Sequence, residues 1–113
     1  MPCLKVNCSH MICVSVFYPH ASGKRFDHVY YEEKHRPLVM DRLASHGITR
    51  YEIHQGLSGL GPGSEPMFAC TGNLYFNAVS DFQQGMAAHG LELQADIPNF
   101  TDIQPQFQIS EVV

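Results

Sequence analysis

The sequence predicts an α+β domain with the element order βαββαβ. Three observations predict it. Four stretches, His10–Tyr18, Ile48–Gln55, Pro66–Phe76 and Thr101–Val113, are rich in β-branched and aromatic residues. Two stretches between them, Phe26–Gly47 and the run opened by Ser80, place apolar residues at helical spacing. Turn-rich segments separate these elements, Pro19–Lys24 early and the glycine-rich Gly56–Glu65 later.

Taken in order, the first strand is apolar on both sides. Ile12, Val14 and Val16 line one face, and Cys13, Ser15 and Phe17 the other. Such a strand needs cover twice. The first helix, Phe26 to Gly47, sets Phe26, Val29, Tyr30, Pro37, Met40 and Ala44 near one face, widened by Leu38 and Leu43. Glu32 and Glu33 precede Arg36 and Arg42, the order the helix dipole favours. Gly47 supplies a left-handed stop. Pro37 removes a backbone donor and clashes with the Glu33 carbonyl, so the helix kinks or restarts there. Tyr31, His35, Leu38 and Arg42 share a side and form the densest polar-aromatic cluster in the chain.

The second strand turns Tyr51 and Ile53 inward, with Arg50, Glu52 and His54 opposite. The third sets Phe68, Cys70, Leu74 and Phe76 against Met67, Ala69 and Tyr75. Gly72 within it marks a bulge or a close backbone approach. The second helix opens with Ser80 and Gln83 at capping-box spacing. Its expected buried stripe is Phe82, Met86, His89 and Leu93, with Gly85 and Gly90 weakening the second half. The chain leaves it through Ala95–Phe100. In the last strand Ile103, Phe107 and Ile109 alternate with polar residues, and Pro105 makes the strand an edge or a bulged one.

This order gives a four-stranded antiparallel sheet with two helices on one face, the ferredoxin-like arrangement. The uncovered face would leave apolar side chains in water, and a homodimer packed sheet against sheet is the simplest remedy.

The length of 113 residues suits one domain. Residues 1–10 read as an N-terminal extension and 11–113 as the domain. The net charge of −4 and scattered basic residues argue against nucleic acid. No apolar run approaches the ~20 residues of a membrane span, and no signal peptide is visible, so the expectation is cytoplasmic with no membrane partner. The four cysteines form no Cys-x-x-Cys pair, and the seven histidines include no i, i+4 pair, so no metal is expected. No glycine-rich phosphate loop opens a helix, and no cofactor is expected.

The pattern Tyr30-Tyr31-x-x-x-His35-x-Pro37-Leu38-Val39 resembles the first-helix motif of the EthD family, named for ethyl tert-butyl ether degradation. His89-Gly90, the run Ala95 to Ile103 with Pro105, and Gln108-Ile109-Ser110-Glu111 are similar to that family's C-terminal block. The resemblance spans about 11–113. It implies a dimeric α+β barrel. Bacterial members accompany ether degradation, and some fungal relatives act on polyketides as cyclases, dehydratases or decarboxylases. Barrels of the wider superfamily include small monooxygenases and haem-handling proteins.

His35 is the first candidate catalytic group, because an imidazole exchanges protons near neutrality. Tyr31 would orient it or bond a substrate carbonyl. The competing structural role for His35 is to bond a carbonyl freed by Pro37. His89 is the second candidate, expected to meet His35 across a pocket between helices and sheet; the alternative is a core histidine bonded to backbone. Asp96 is either an acid or orienter of His89, or, with Asn99, the holder of a turn. Tyr30, Tyr31, Phe82, Asp96 and Phe100 are the expected substrate-binding set, and His46 a C-terminal helix cation.

Two functions fit this pattern. One is a cofactor-independent enzyme that moves a proton on an aromatic or polyketide-like substrate. The other is a non-catalytic accessory or carrier that binds an apolar metabolite. A third, haem binding through His35 or His89, would colour the purified protein.

Overall fold

Alternation along β1 (Ile12–Pro19) sends Val14, Val16 and Tyr18 into the core. β1 pairs antiparallel with β3 (Phe68–Phe76) on one side and β4 (Gln106–Glu111) on the other, and β2 (Ile48–Gln55) pairs with β3. The strand order is β2-β3-β1-β4. This is the expected ferredoxin-like sheet, all antiparallel, with β4 at an edge just after Pro105. The structure is a computed structural model and describes residues 10–113. Cys3, Cys8 and nearly all of the expected N-terminal extension lie outside the described residues.

The first helix is not a uniform α-helix. Asp27 caps it, its carboxylate accepting from the Tyr30 amide at 3.0 Å. A short α1 (His28–Tyr30) passes into a π turn (Tyr31–His35), then α2 (Arg36–Leu43), then a 3-10 turn (Ala44–His46). The Arg36 amide donates to the Tyr31 carbonyl, the i→i+5 bond of a π turn. Widening the helix ahead of Pro37 gives the proline ring room that regular α geometry denies it. Gly47 ends the helix at φ 83°, as expected.

The buried stripe differs from the expected one. Tyr31, His35, Val39 and Leu43 face the sheet, whereas Val29 is exposed. Leu43 of the expected stripe is buried, and Phe26, Tyr30, Leu38 and Met40 pack against the core. The surplus residue of the π turn re-phases the helix, so spacing counted at 3.6 residues per turn matches the buried face only in part.

α3 (Val79–Ala95) is continuous through Gly85 and Gly90. Its N-cap is Ala78 and no side chain caps it, so Ser80 lies inside the helix and the capping box is not formed. Gly85 is where α3 touches the first helix. A Cβ there would sit 2.9 Å from Leu43 Cδ2 and 3.2 Å from His46 Cβ. Arg42 on α2 ties to Glu92 on α3 through Nε at 3.0 Å. The core lies between these helices and one sheet face, joining Val14, Val16, Tyr18, Leu74 and Phe76 to Tyr31, Val39, Leu43 and Leu93.

The other sheet face is mixed rather than uniformly apolar. Phe17, Phe68 and Tyr75 share it with polar groups, where Ser15 donates to Asn73 Oδ1 at 3.0 Å. Phe68 meets Phe17 at 5.1 Å between ring centres, because the register shift after Tyr18 carries it off the side of Cys70, where alternation placed it. Among the described residues no helix is long and apolar enough to cross a membrane.

Candidate functional site

His35 closes the π turn and points toward the end of α3. There Asp96 caps the helix before the 3-10 turn Ile97–Asn99. His35 Nδ1 lies 2.8 Å from Asp96 Oδ2. The second carboxylate oxygen, Oδ1, accepts from the Tyr30 hydroxyl at 2.7 Å and from Asn99 Nδ2 at 2.9 Å. A carboxylate only accepts, so the proton on the imidazole sits at Nδ1 and Nε2 keeps its lone pair. Nε2 has no hydrogen-bond partner among the described residues. The ring is held in place by stacking on Tyr31 at 5.5 Å and by Phe100 at 4.8 Å.

Charge is set by these contacts. His35 is 5% exposed, and burial pushes it below the ordinary histidine value despite the opposing pull of Asp96. Burial raises Asp96, but the hydrogen bonds from His35, Asn99 and Tyr30 outweigh it, so its carboxyl sits below the usual range. At neutral pH the pair is a neutral imidazole on an ionised carboxylate.

A cavity of about 340 Å³ lies between the helices and the sheet. His35 reaches it, together with Tyr18 and Tyr51 from the sheet and Phe82 and Met86 from α3. Val14, Val16 and Leu74 form part of its sheet wall, and Gln94 and Gln108 are among its few polar residues. Phe107 of β4, which is 56% exposed, also lines the cavity.

Beside the cavity the Tyr31 and Tyr51 hydroxyls meet at 2.6 Å. Both ride over Gly72, where any Cβ would run into the Tyr31 hydroxyl. No register shift occurs at Gly72, so this glycine marks a close approach and not a bulge. Burial pushes the Tyr18, Tyr31 and Tyr51 phenols well above their ordinary value, leaving them protonated donors.

Of the expected site residues, the fold gathers Tyr30, Tyr31, Asp96 and Phe100 around His35 and puts Phe82 in the cavity wall. It does not bring His89 to His35. The His89 side chain is 30% exposed, its ring lies 5.6 Å from His46, and it does not line the cavity. Asp96 orients His35, not His89, and His35 bonds this carboxylate rather than a carbonyl freed by Pro37. Tyr18 and Tyr51 also line the cavity, and sequence pattern gives them no role beyond the core. For Tyr51 the pattern predicts an inward side chain, and only its partner across the core marks it as more than packing. Among the described residues no three His, Cys, Asp or Glu side chains converge to hold a metal.

The EthD domain matches residues 20–104. The chain belongs to the EthD family. Among solved structures it is similar to an EthD-like protein from Ralstonia eutropha JMP134, with 40% identity, TM-score 0.88, and coverage of 94% of this chain and 95% of that one. It is also similar to an EthD family protein from Bacillus halodurans C-125, with 18% identity, TM-score 0.69, and coverage of 91% and 99%. The fold extends to SnoaB of Streptomyces nogalater, with 10% identity, TM-score 0.62, and coverage of 94% and 95%. No curated protein sequence matches the chain.

Proposed function

We propose that this EthD protein is a cofactor-independent enzyme that moves a proton on an aromatic or polyketide-like substrate, with His35 as the base. One observation carries the reading: Asp96 holds Nδ1 of His35 and fixes its tautomer, and His35 lines an apolar cavity. An ionised acceptor behind the ring stabilises the imidazolium once a proton arrives, and the apolar walls exclude water from the transfer. A cavity of about 340 Å³ suits a compact ring system. SnoaB, which shares the fold, is a cofactor-independent oxygenase, and a hydroxynitrile lyase from Passiflora edulis shares it too. Those activities lend support only to the class of small-molecule chemistry.

The test has two parts. Mass spectrometry of molecules released from purified protein identifies the ligand class. Deuterium uptake from heavy water into an aryl methyl ketone, such as acetylnaphthalene, then reads proton transfer by NMR. Wild-type protein is expected to speed exchange, and His35→Ala to lose about a hundredfold or more while still binding the ring. Binding without exchange in the wild type supports the carrier instead.

We also propose a homodimer that packs the mixed outer sheet face, with Phe17, Phe68 and Tyr75, against its twin.

A further inference from the structure

A base at His35 leaves open what receives the charge. Abstracting a proton next to a carbonyl sends the C–H electron pair into a new C=C bond and the carbonyl π pair onto oxygen. That oxygen becomes an enolate while His35 becomes an imidazolium. The enolate needs a donor inside the same cavity.

We propose that Tyr51 is that donor, held in position by Tyr31 and Gly72, and that the substrate is an enolisable aryl ketone. The inference rests on the proton-transfer reading and adds the residue that binds the reacting oxygen.

Three observations carry it. First, Tyr51 and His35 line one cavity from opposite walls, the sheet and the first helix. Second, Tyr31 is fully buried and links them, its ring stacked on His35 and its hydroxyl 2.6 Å from that of Tyr51. Tyr51 lines the cavity and Tyr31 does not. Either hydroxyl can donate in this contact. Once a carbonyl oxygen enters the cavity, Tyr31 donates to the Tyr51 oxygen and the Tyr51 proton turns to the ligand, the chain of two hydroxyls strengthening it as a donor. Third, the pair needs a gap in the sheet, and Gly72 supplies it. A Cβ at Gly72 would displace the Tyr31 hydroxyl and come within 3.2 Å of the Tyr51 hydroxyl.

Naphthol tests this, since its phenolate imitates an aromatic enolate and its absorption spectrum reports ionisation. Wild-type protein is expected to bind naphthol and to lower the pH at which it ionises. Tyr51→Phe keeps the ring and removes the donor, and is expected to weaken naphthol binding about ten- to a hundredfold and shift the bound ionisation back up. Tyr31→Phe is expected to cost only a few-fold. If the two tyrosines merely hold the fold together, both variants lose thermal stability alike and neither changes the ionisation of bound naphthol. That result overturns the proposal, as does failure of wild-type protein to bind naphthol. Outcomes separate the two readings. Exchange that survives Tyr51→Phe removes Tyr51 and spares His35. Naphthol ionisation that depends on Tyr51, without ketone exchange in wild-type protein, spares the donor site and removes the enzyme.

Discussion

At the residue scale the decisive contact joins His35 to Asp96 across 61 positions of chain. Asp96→Asn leaves the shape but replaces an acceptor-only group with one that also donates, so Nδ1 is no longer compelled to carry the proton. Ketone exchange is expected to fall about a hundredfold, with ring binding retained. The pH profile of kcat/KM should show one acid-side inflection below the ordinary histidine value, where Nε2 becomes protonated. Stability should move in the same direction. The unfolded chain protonates this histidine near pH ~6.5, while the folded chain resists until its lower value is reached. The stabilisation is therefore complete above about pH 6.5 and is lost as pH falls from there through the depressed folded value. Asp96 acts likewise at lower pH, its contribution fading as pH falls through its depressed folded value. Thermal midpoints at pH 7.5 and 5 should differ less in His35→Gln than in wild type. An equal drop in both would assign the acid sensitivity to other groups. None of this pairing is written in local sequence. His35 is visible as a titratable group on a helix, but Asp96 reads equally well as a turn holder, and only the packing of α3 against the first helix joins them. His89 shows the reverse. Helical spacing puts it with Phe82, Met86 and Leu93, yet on the helix it turns toward His46 and solvent.

Among the elements, the strands were the most legible. Period-two alternation grouped Ile12, Val14 and Val16 on one side of β1 and turned Tyr51 inward on β2, both as found, because a strand has only two sides to choose from. Helix faces were harder. A single π turn rotates one end of its helix against the other, and nothing in Tyr31 to His35 announces it except the proline two residues on. The entry to α3 likewise defeated local pattern at Ser80, where a capping spacing occurs after the helix has already begun. Gly72 was legible as an irregularity, and the structure supplies its reason. Gly72→Ala should cost about 2–3 kcal/mol in urea denaturation, from forced displacement of Tyr31 and loss of the buried hydroxyl pair. A negligible loss would mean that the two tyrosines readily relocate. Leu43, fully buried between the helices and at the cavity wall, should cost about 3 kcal/mol as Leu43→Ala and enlarge the cavity for bulkier rings.

For the whole molecule, the core accounts for one sheet face only. The opposite face keeps Phe17, Phe68 and Tyr75 among polar neighbours, a composition typical of surfaces that associate without being purely oily. Sedimentation is expected to give a particle of twice 12.7 kDa, and Phe17→Arg to return it to a single subunit. A wild-type monomer at all concentrations would rule out the pairing. The ferredoxin-like order itself was legible because the four strand patterns and two helical patterns are well separated by glycine- and proline-rich turns.

The π turn has one more consequence, for chain length rather than chemistry. It is a helix carrying one residue beyond regular winding, and the imidazole and the phenol ring beneath it owe their shared bearing to that addition. Point substitutions along Glu32 to Lys34 touch only solvent-exposed positions and leave the bearing intact. Excising any one of the three would restore uniform winding and swing everything upstream by about 100°, parting Tyr31 from Gly72. The number of residues between Tyr31 and His35, not their identity, is what aims the two rings.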